Sequence, residues 1–342
     1  MNPIGHGPIR HPLPPGIDTL HYRPGNALAA IPDPRHRAMV AEVLASGLVD
    51  GMIVRTASFG PPVNDVQCRT AVDVLTAEFE AFGVDVPAAT TGHITRMRAL
   101  MVPIDDDALA LAVDRIWVFT THTDDVCCHD RAEAAAVLRA GLLPDARPSS
   151  PTARYVRHMF GEIARFCDPT FLAVWRNFFY NAITGVLMEA EFDPEVSDGI
   201  DSDFVRAFNG FSQFWFTTLQ FTAPCLRADT HRAFWSAALS SCVAFLNDVN
   251  DVVSFYKEAV HGADFATGRI HRRAVAERIP YLEAYREVLA GGEAARHRIL
   301  DLATEEQRPH LDRYMTGFTY WQLRCRRYRW QDVYPGLAVI DA

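Results

Sequence analysis

No glycine-rich phosphate loop of the GxGxxG or GxxxxGK type stands out in this sequence, which removes the two commonest routes to nucleotide binding. Alternating strand patterns are missing as well, so nothing favours a sheet. None of the seven cysteines stands in CxxC spacing, and their odd number argues against a disulfide framework; they read as buried or incidental thiols of a reducing compartment. Basic charge is in deficit, with Lys+Arg 33 against Asp+Glu 42 and a net charge of -9. Nonspecific nucleic-acid binding is thereby excluded, because phosphate contacts need a basic face. An anionic ligand has to be held locally, by metals or by a few convergent cations.

The opening MNPIGHGPIRHPLPPG carries Pro and Gly where a secretory leader needs a continuous apolar stretch, so the expected location is cytoplasmic. One uncharged run, Ala207 to Leu226, is about long enough to cross a bilayer. Its Asn209, Ser212, Gln213, Thr217, Thr218, Gln220 and Thr222 are too many polar groups for a lipid-facing helix, and no stable membrane insertion is expected. A helix this aromatic on nearly every face belongs at the centre of a protein. Internal repeats and low-complexity tracts are absent.

What is present points to a large helical core. Hydrophobic residues make up 49% of the chain and charged residues 22%, the balance of a globular protein. Residues 1–35 are rich in Pro, Gly and His and read as a loosely held arm. From His36 onward apolar residues recur at helical spacing: Leu109, Val113, Ile116, Trp117 and Thr120 predict one helix leading toward Asp124, and Phe171, Val174, Trp175, Phe178 and Phe179 predict another. The Pro- and Ser-rich segment from Pro144 to Tyr155 reads as a loop between two helices. The expected fold is all-α, a single helical bundle over 36–342.

The most informative segment is NDVNDVVSFYKE, Asn247 to Glu258, following the apolar run Ala237 to Leu246. Asn250, Ser254 and Glu258 recur at i, i+4 and i+8, so on an α-helix they drift by only about 40° per step and form a stripe roughly 12 Å long. Amide, hydroxyl and carboxylate oxygens are hard donors that suit magnesium better than zinc or copper. The ordinary reading of such a stripe is a solvated helix face. Its place directly after an apolar run, with Lys257 beside it to meet a phosphate oxygen, shifts the balance.

These residues carry a resemblance. NDVVSFYKE resembles the NDxxSxxxE metal motif of class I terpene cyclases, and the string looks especially like the fungal trichodiene synthase group, where SFYKE follows the Asn-Asp pair. The resemblance implies a class I terpenoid synthase bundle around a central apolar cavity, three magnesium ions and a closure step. It also implies a second acidic segment on a facing helix, and THTDDVCCHD offers one. Asp124 corresponds to the carboxylate that bridges magnesium ions, and Asp125 to one that pairs with an arginine on closure. The pattern departs from the family afterwards, since Cys128 and His129 stand where a third acid usually falls; the role of Asp130 is left open. A zinc site at Cys127, Cys128, His129 and Asp130 is disfavoured, because adjacent cysteines on a helix point about 100° apart and no second Cys/His pair stands at finger spacing.

Two cationic features fit the same resemblance. Arg206 precedes Asn250 at about the separation at which the family places a diphosphate-sensing arginine. In RCRRYRW, Arg327 and Tyr328 match the Arg-Tyr motif that closes over the same group, although Cys325 replaces the acidic residue that often begins it. Either feature alone reads as surface charge, the second favourable to a helix C-terminus. Their order along the chain with the two acidic motifs is what gives them weight.

The implied activity is magnesium-dependent ionisation of an isoprenoid diphosphate, by resemblance the fifteen-carbon farnesyl diphosphate, with cyclisation to a sesquiterpene hydrocarbon or alcohol. Aromatic walls would shield and stabilise the cation. Phe119, Phe211, Trp117 and Trp215 are the cavity candidates, with core packing the ordinary role for any one of them. A homodimer is the family expectation. Two rivals are a chain-elongating prenyltransferase, which normally carries two DDxxD segments, and a catalytically silent helical isoprenoid-binding protein.

Overall fold

The structure is a computed structural model that describes residues 24–143, 145, 147–190, 202–262, 265 and 268–340. Among the described residues every regular element is a helix, as the apolar periodicity predicts. No helix among them is long and apolar enough to cross a membrane. The chain divides into two compact units. One takes Asp248–Ala290, Thr319–Ile340 and the described part of Met1–Gly60; the other takes Pro61–Asn247 and Gly291–Phe318. The dividing points fall inside the helices Arg232–His261, Tyr281–Leu302 and Arg308–Arg324.

Local chemistry starts and stops the helices of the larger unit. Asn64 caps Asp65–Phe82 by accepting from Gln67 N, and Gly83, at φ 72°, ends that helix in the left-handed region that glycine adopts without strain. Asp106 caps Asp107–Cys127 through Ala108 N and Leu109 N, Ser150 caps Pro151–Ile163 with a proline at its first position, and Asp168 accepts from Thr170 N and Phe171 N. Each such cap contributes about 1 kcal/mol. Of the loop expected from Pro144 to Tyr155, residues 144 and 146 lie outside the described residues and residues 151–155 are helical, part of Pro151–Ile163, because Ser150 caps that helix; Ser150 Oγ also donates to Glu133.

The core of the larger unit is aromatic and carries buried ion pairs. Trp175 stacks on Phe214 with ring centroids 4.3 Å apart and donates its indole N–H to the Phe214 carbonyl. Arg98 and Asp114, both unexposed, form a two-pronged pair at 2.8 Å. Arg115 grips both oxygens of Glu78, whose first oxygen also accepts from Tyr155. Burial pushes the Glu78 carboxyl upward, but these bonds outweigh it and leave its pKa below the usual value.

The uncharged run does not form the single helix its composition suggests. It breaks into Ser212–Phe216, Leu219–Thr222 and a short 3-10 turn Pro224–Leu226, after the helix Ser202–Asn209. Gly210 permits the first turn, because a Cβ there would collide with Asn247 Oδ1, and Phe211 follows in the left-handed region at φ 52°. Thr217 Oγ1 then donates back to the Gln213 and Phe214 carbonyls, and Pro224 ends what remains. The run is central nonetheless: Phe211, Phe214, Phe216 and Leu219 are all buried.

In the smaller unit the motif helix is gripped from several sides. Trp330 donates to the Val253 carbonyl at 3.0 Å and Tyr285 to the Val252 carbonyl at 3.2 Å. Tyr256 donates to Ala27 O at 3.2 Å and packs its ring 5.6 Å from Trp330. Of the expected N-terminal arm, residues 1–23 lie outside the described residues. The rest is more structured than its composition suggests: Pro24–Ala29 is helical, Ala27 and Ile31 are buried, and Asp33 caps the next helix, Pro34–Ala45.

Candidate active site

The oxygen-rich stripe lies in the C-terminal half of Arg232–His261, a helix of 30 residues. Ser254 is buried, while Asn250 and Glu258 are half-buried. The Ser254 hydroxyl donates to Glu258 Oε1 at 2.6 Å, so two of the three donors are already in contact along the helix face. Asn250 Nδ2 donates to the hydroxyl of Tyr328 at 3.3 Å, which turns its Oδ1 away from the phenol. Lys257 Nζ stands 5.9 Å from the centroid of the same tyrosine ring. The sequence-predicted residues Asn250, Ser254, Glu258, Lys257 and Tyr328 are therefore brought together in this unit.

Tyr328 reaches that position because the helix Arg308–Arg324 ends and the chain tightens into the 3-10 turn Arg326–Tyr328. Arg329 stops the turn at φ 65°, its guanidinium held by Asp332 at 2.8 Å. Tyr328 is buried while Arg327 beside it is exposed. Cys325 is buried, and burial pushes its thiol pKa up; a carboxylate at that place would lose its hydration. Arg324 turns inward, stacked 3.9 Å over the Tyr320 ring and donating to Thr56 Oγ1.

The aspartates belong to the larger unit. Asp124 and Asp125 occupy the last turn of Asp107–Cys127 and are half-buried. Asp130 serves the backbone, capping Arg131–Leu142 by accepting from Ala132 N at 2.9 Å and Glu133 N at 3.0 Å. Burial and the neighbouring acids push the Cys127 thiol up to about 12, which keeps it protonated, whereas Cys128 is exposed. Among the described residues no group of three or more His, Cys, Asp or Glu comes together to cage a metal.

Arg206 also lies in the larger unit, on Ser202–Asn209, with its Nη1 3.4 Å from Asn209 Oδ1. Its backbone carbonyl accepts from Asn247 Nδ2 at 2.9 Å, while Asn247 Oδ1 accepts from Ser212. The preceding helix Pro169–Ala190 comes so close at Gly185 that a Cβ there would collide with the Asn209 backbone nitrogen. Asn247 thus holds the arginine's segment within the larger unit. The i, i+4, i+8 spacing did not single it out, since Asn247 stands three residues before Asn250 and the place one step of four before it is Leu246. Buried Asp248 forms an ion pair with half-buried Arg269, a partner for which the sequence carried no signal.

The aromatic candidates differ in setting. Trp117 is unexposed, donates to Thr218 Oγ1 at 3.1 Å and stacks on half-buried Trp215 with centroids 5.2 Å apart. Phe119 lies against Tyr155 at 4.4 Å and Phe79 at 6.2 Å, and Phe211 against Phe179 at 5.6 Å.

The donor chemistry of the stripe fits magnesium. One carboxylate with a hydroxyl and an amide oxygen is too sparse for an all-protein cage, but it is the kind of set magnesium takes when water and phosphate oxygens complete its shell. The contact between Ser254 and Glu258 leaves both oxygens at one place on the helix.

No protein-family model matches the chain, and no curated protein matches it by sequence. Solved structures do. A variant of cucumene synthase matches with a TM-score of 0.57 at 15% identity, covering 80% of this chain and 97% of that one. The 2-methylisoborneol synthase of Streptomyces coelicolor A3(2), in complex with Mg2+ and geranyl-S-thiolodiphosphate, matches with a TM-score of 0.58 at 16% identity, covering 77% and 92%. The SVS_A2 protein from ancestral sequence reconstruction reaches 0.61 at 15% identity, covering 83% and 90%. At these identities the likeness is one of fold: the chain has the all-α fold of terpene synthases.

Proposed function

We propose that this protein is a sesquiterpene cyclase of the class I type, with the catalytic fold carried by one α domain over 36–342. The observation that carries the reading is the stripe itself: Ser254 and Glu258 in hydrogen-bond contact, with Asn250 on the same helix face bonded to Tyr328. The fold shared with 2-methylisoborneol synthase, whose structure holds Mg2+ and a prenyl thiolodiphosphate, supports it.

Asp124 is one proposed magnesium ligand, and Asn250, Ser254 and Glu258 are the others. When bound, magnesium neutralises the negative charge that grows on the leaving phosphate oxygens. Arg206, Lys257, Arg327 and Tyr328 add hydrogen bonds from fixed donors to the same oxygens, and Asp125 pairs with an arginine as the site closes. The allylic C–O bond breaks heterolytically, its electron pair leaves with the diphosphate, and the carbocation cyclises before losing a proton or capturing water. Trp117, Trp215, Phe119 and Phe211 are the aromatic candidates proposed to offer ring faces to the cation. A ring face contributes about 0.5 to 2 kcal/mol.

The deciding experiment is incubation with farnesyl diphosphate and magnesium, with and without isopentenyl diphosphate, followed by gas chromatography. The expected result is a sesquiterpene hydrocarbon or alcohol with release of diphosphate. A longer prenyl diphosphate as the only product establishes the chain-elongating rival, and binding without product establishes the silent one.

A further inference from the structure

The hydroxyl of Tyr328 sits between two side-chain amides. Asn250 Nδ2 donates to it at 3.3 Å, and so does Gln322 Nε2 at 3.1 Å. Gln322 lies near the end of Arg308–Arg324, is 1% exposed, and stands outside every motif the sequence displays. A phenolic oxygen has two lone pairs to accept with and one proton to give. With both lone pairs directed to amide N–H groups, the hydroxyl proton of Tyr328 is directed at neither amide. Accepting two hydrogen bonds also polarises the O–H bond and makes it a stronger donor.

The arrangement carries a structural cost. Gln322 Oε1 is buried and has no hydrogen-bond partner. An unsatisfied amide oxygen destabilises the folded state, whereas an apolar side chain of similar shape would leave no such orphan. Stability therefore does not account for a glutamine here, and local violations of this kind are found where function requires them.

We propose that Gln322 is a positioning residue that acts through Tyr328. Together with Asn250 it fixes the phenol so that the hydroxyl proton is presented to a phosphate oxygen of the leaving group. Through the same phenol it keeps the Asn250 amide oriented with Nδ2 toward Tyr328 and Oδ1 toward the cation. The inference rests on the functional reading above.

The test is a double-mutant cycle of Gln322→Met and Tyr328→Phe, measuring kcat and KM with farnesyl diphosphate and magnesium, alongside thermal melting. Gln322→Met should lower kcat about tenfold, with KM changed much less and the melting temperature kept or raised. In the Tyr328→Phe background it should cost little more, because the group it acts through is gone. Gln322→Glu supplies a second readout: a protonated carboxyl still donates to the phenol, an ionised one does not, so its activity should fall with rising pH where that of the wild type does not. Wild-type kcat in Gln322→Met, or an effect fully additive with Tyr328→Phe, overturns the inference while leaving the cyclase reading intact. A wild-type protein that releases no diphosphate overturns both.

Discussion

The two segments proposed to bind magnesium are both helical, yet they are built in opposite ways. Asn250, Ser254 and Glu258 lie well inside a 30-residue helix, where the backbone repeat fixes their relative positions and Ser254 already touches Glu258. Asp124 and Asp125 stand in the last turn of theirs, just before the chain turns into a new helix capped by Asp130. Interior positions obey a period; terminal positions obey capping and turn chemistry. A donor set in the first setting is preorganised by the helix, and one in the second depends on how the helix ends.

Substitution can sharpen that contrast. The deepest loss is expected from Glu258→Gln and Asn250→Leu, with turnover reduced roughly a hundredfold or more while far-UV circular dichroism stays helical. Unchanged turnover in both would remove the stripe from the reaction. Asp124→Asn should approach the same loss, and Asp125→Asn should fall short of it by about tenfold if its role is to pair with an arginine; equal losses would erase the distinction between the two aspartates. Arg327→Ala should weaken magnesium-diphosphate binding about tenfold by calorimetry, the worth of one charge-assisted hydrogen bond. The smallest effect on chemistry belongs to Asp130→Ala, which should lower unfolding free energy by about 1 kcal/mol and leave turnover near wild type. A collapse of turnover there would return Asp130 to the site.

The same contrast decides what the sequence made legible. Helices Asp107–Cys127, Pro169–Ala190 and Arg232–His261 follow from apolar spacing, and the stripe follows from spacing on the last of them. The break at Gly210 and Phe211 was hidden, because a positive φ at phenylalanine depends on surrounding rings such as Phe179 and on the Asn247 side chain filling the place of a Cβ. The helical order of Pro24–Ala29 was hidden for a similar reason: its partner, Tyr256, lies more than 200 residues away in the sequence. Gln322 escaped notice because its bond to Tyr328 exists only once the helix has ended and the chain has doubled back through a 3-10 turn.

Tyr256 falls between Ser254 and Glu258, on a different face of the motif helix, and spends its hydroxyl on the Ala27 carbonyl. The start of the described chain is thus a brace on the very turn that carries the proposed ligands. A shortened version beginning after residue 31 would strip that brace, leave the Tyr256 hydroxyl with Asp332 in place of Ala27, and loosen the oxygen-rich stripe without altering one of its residues.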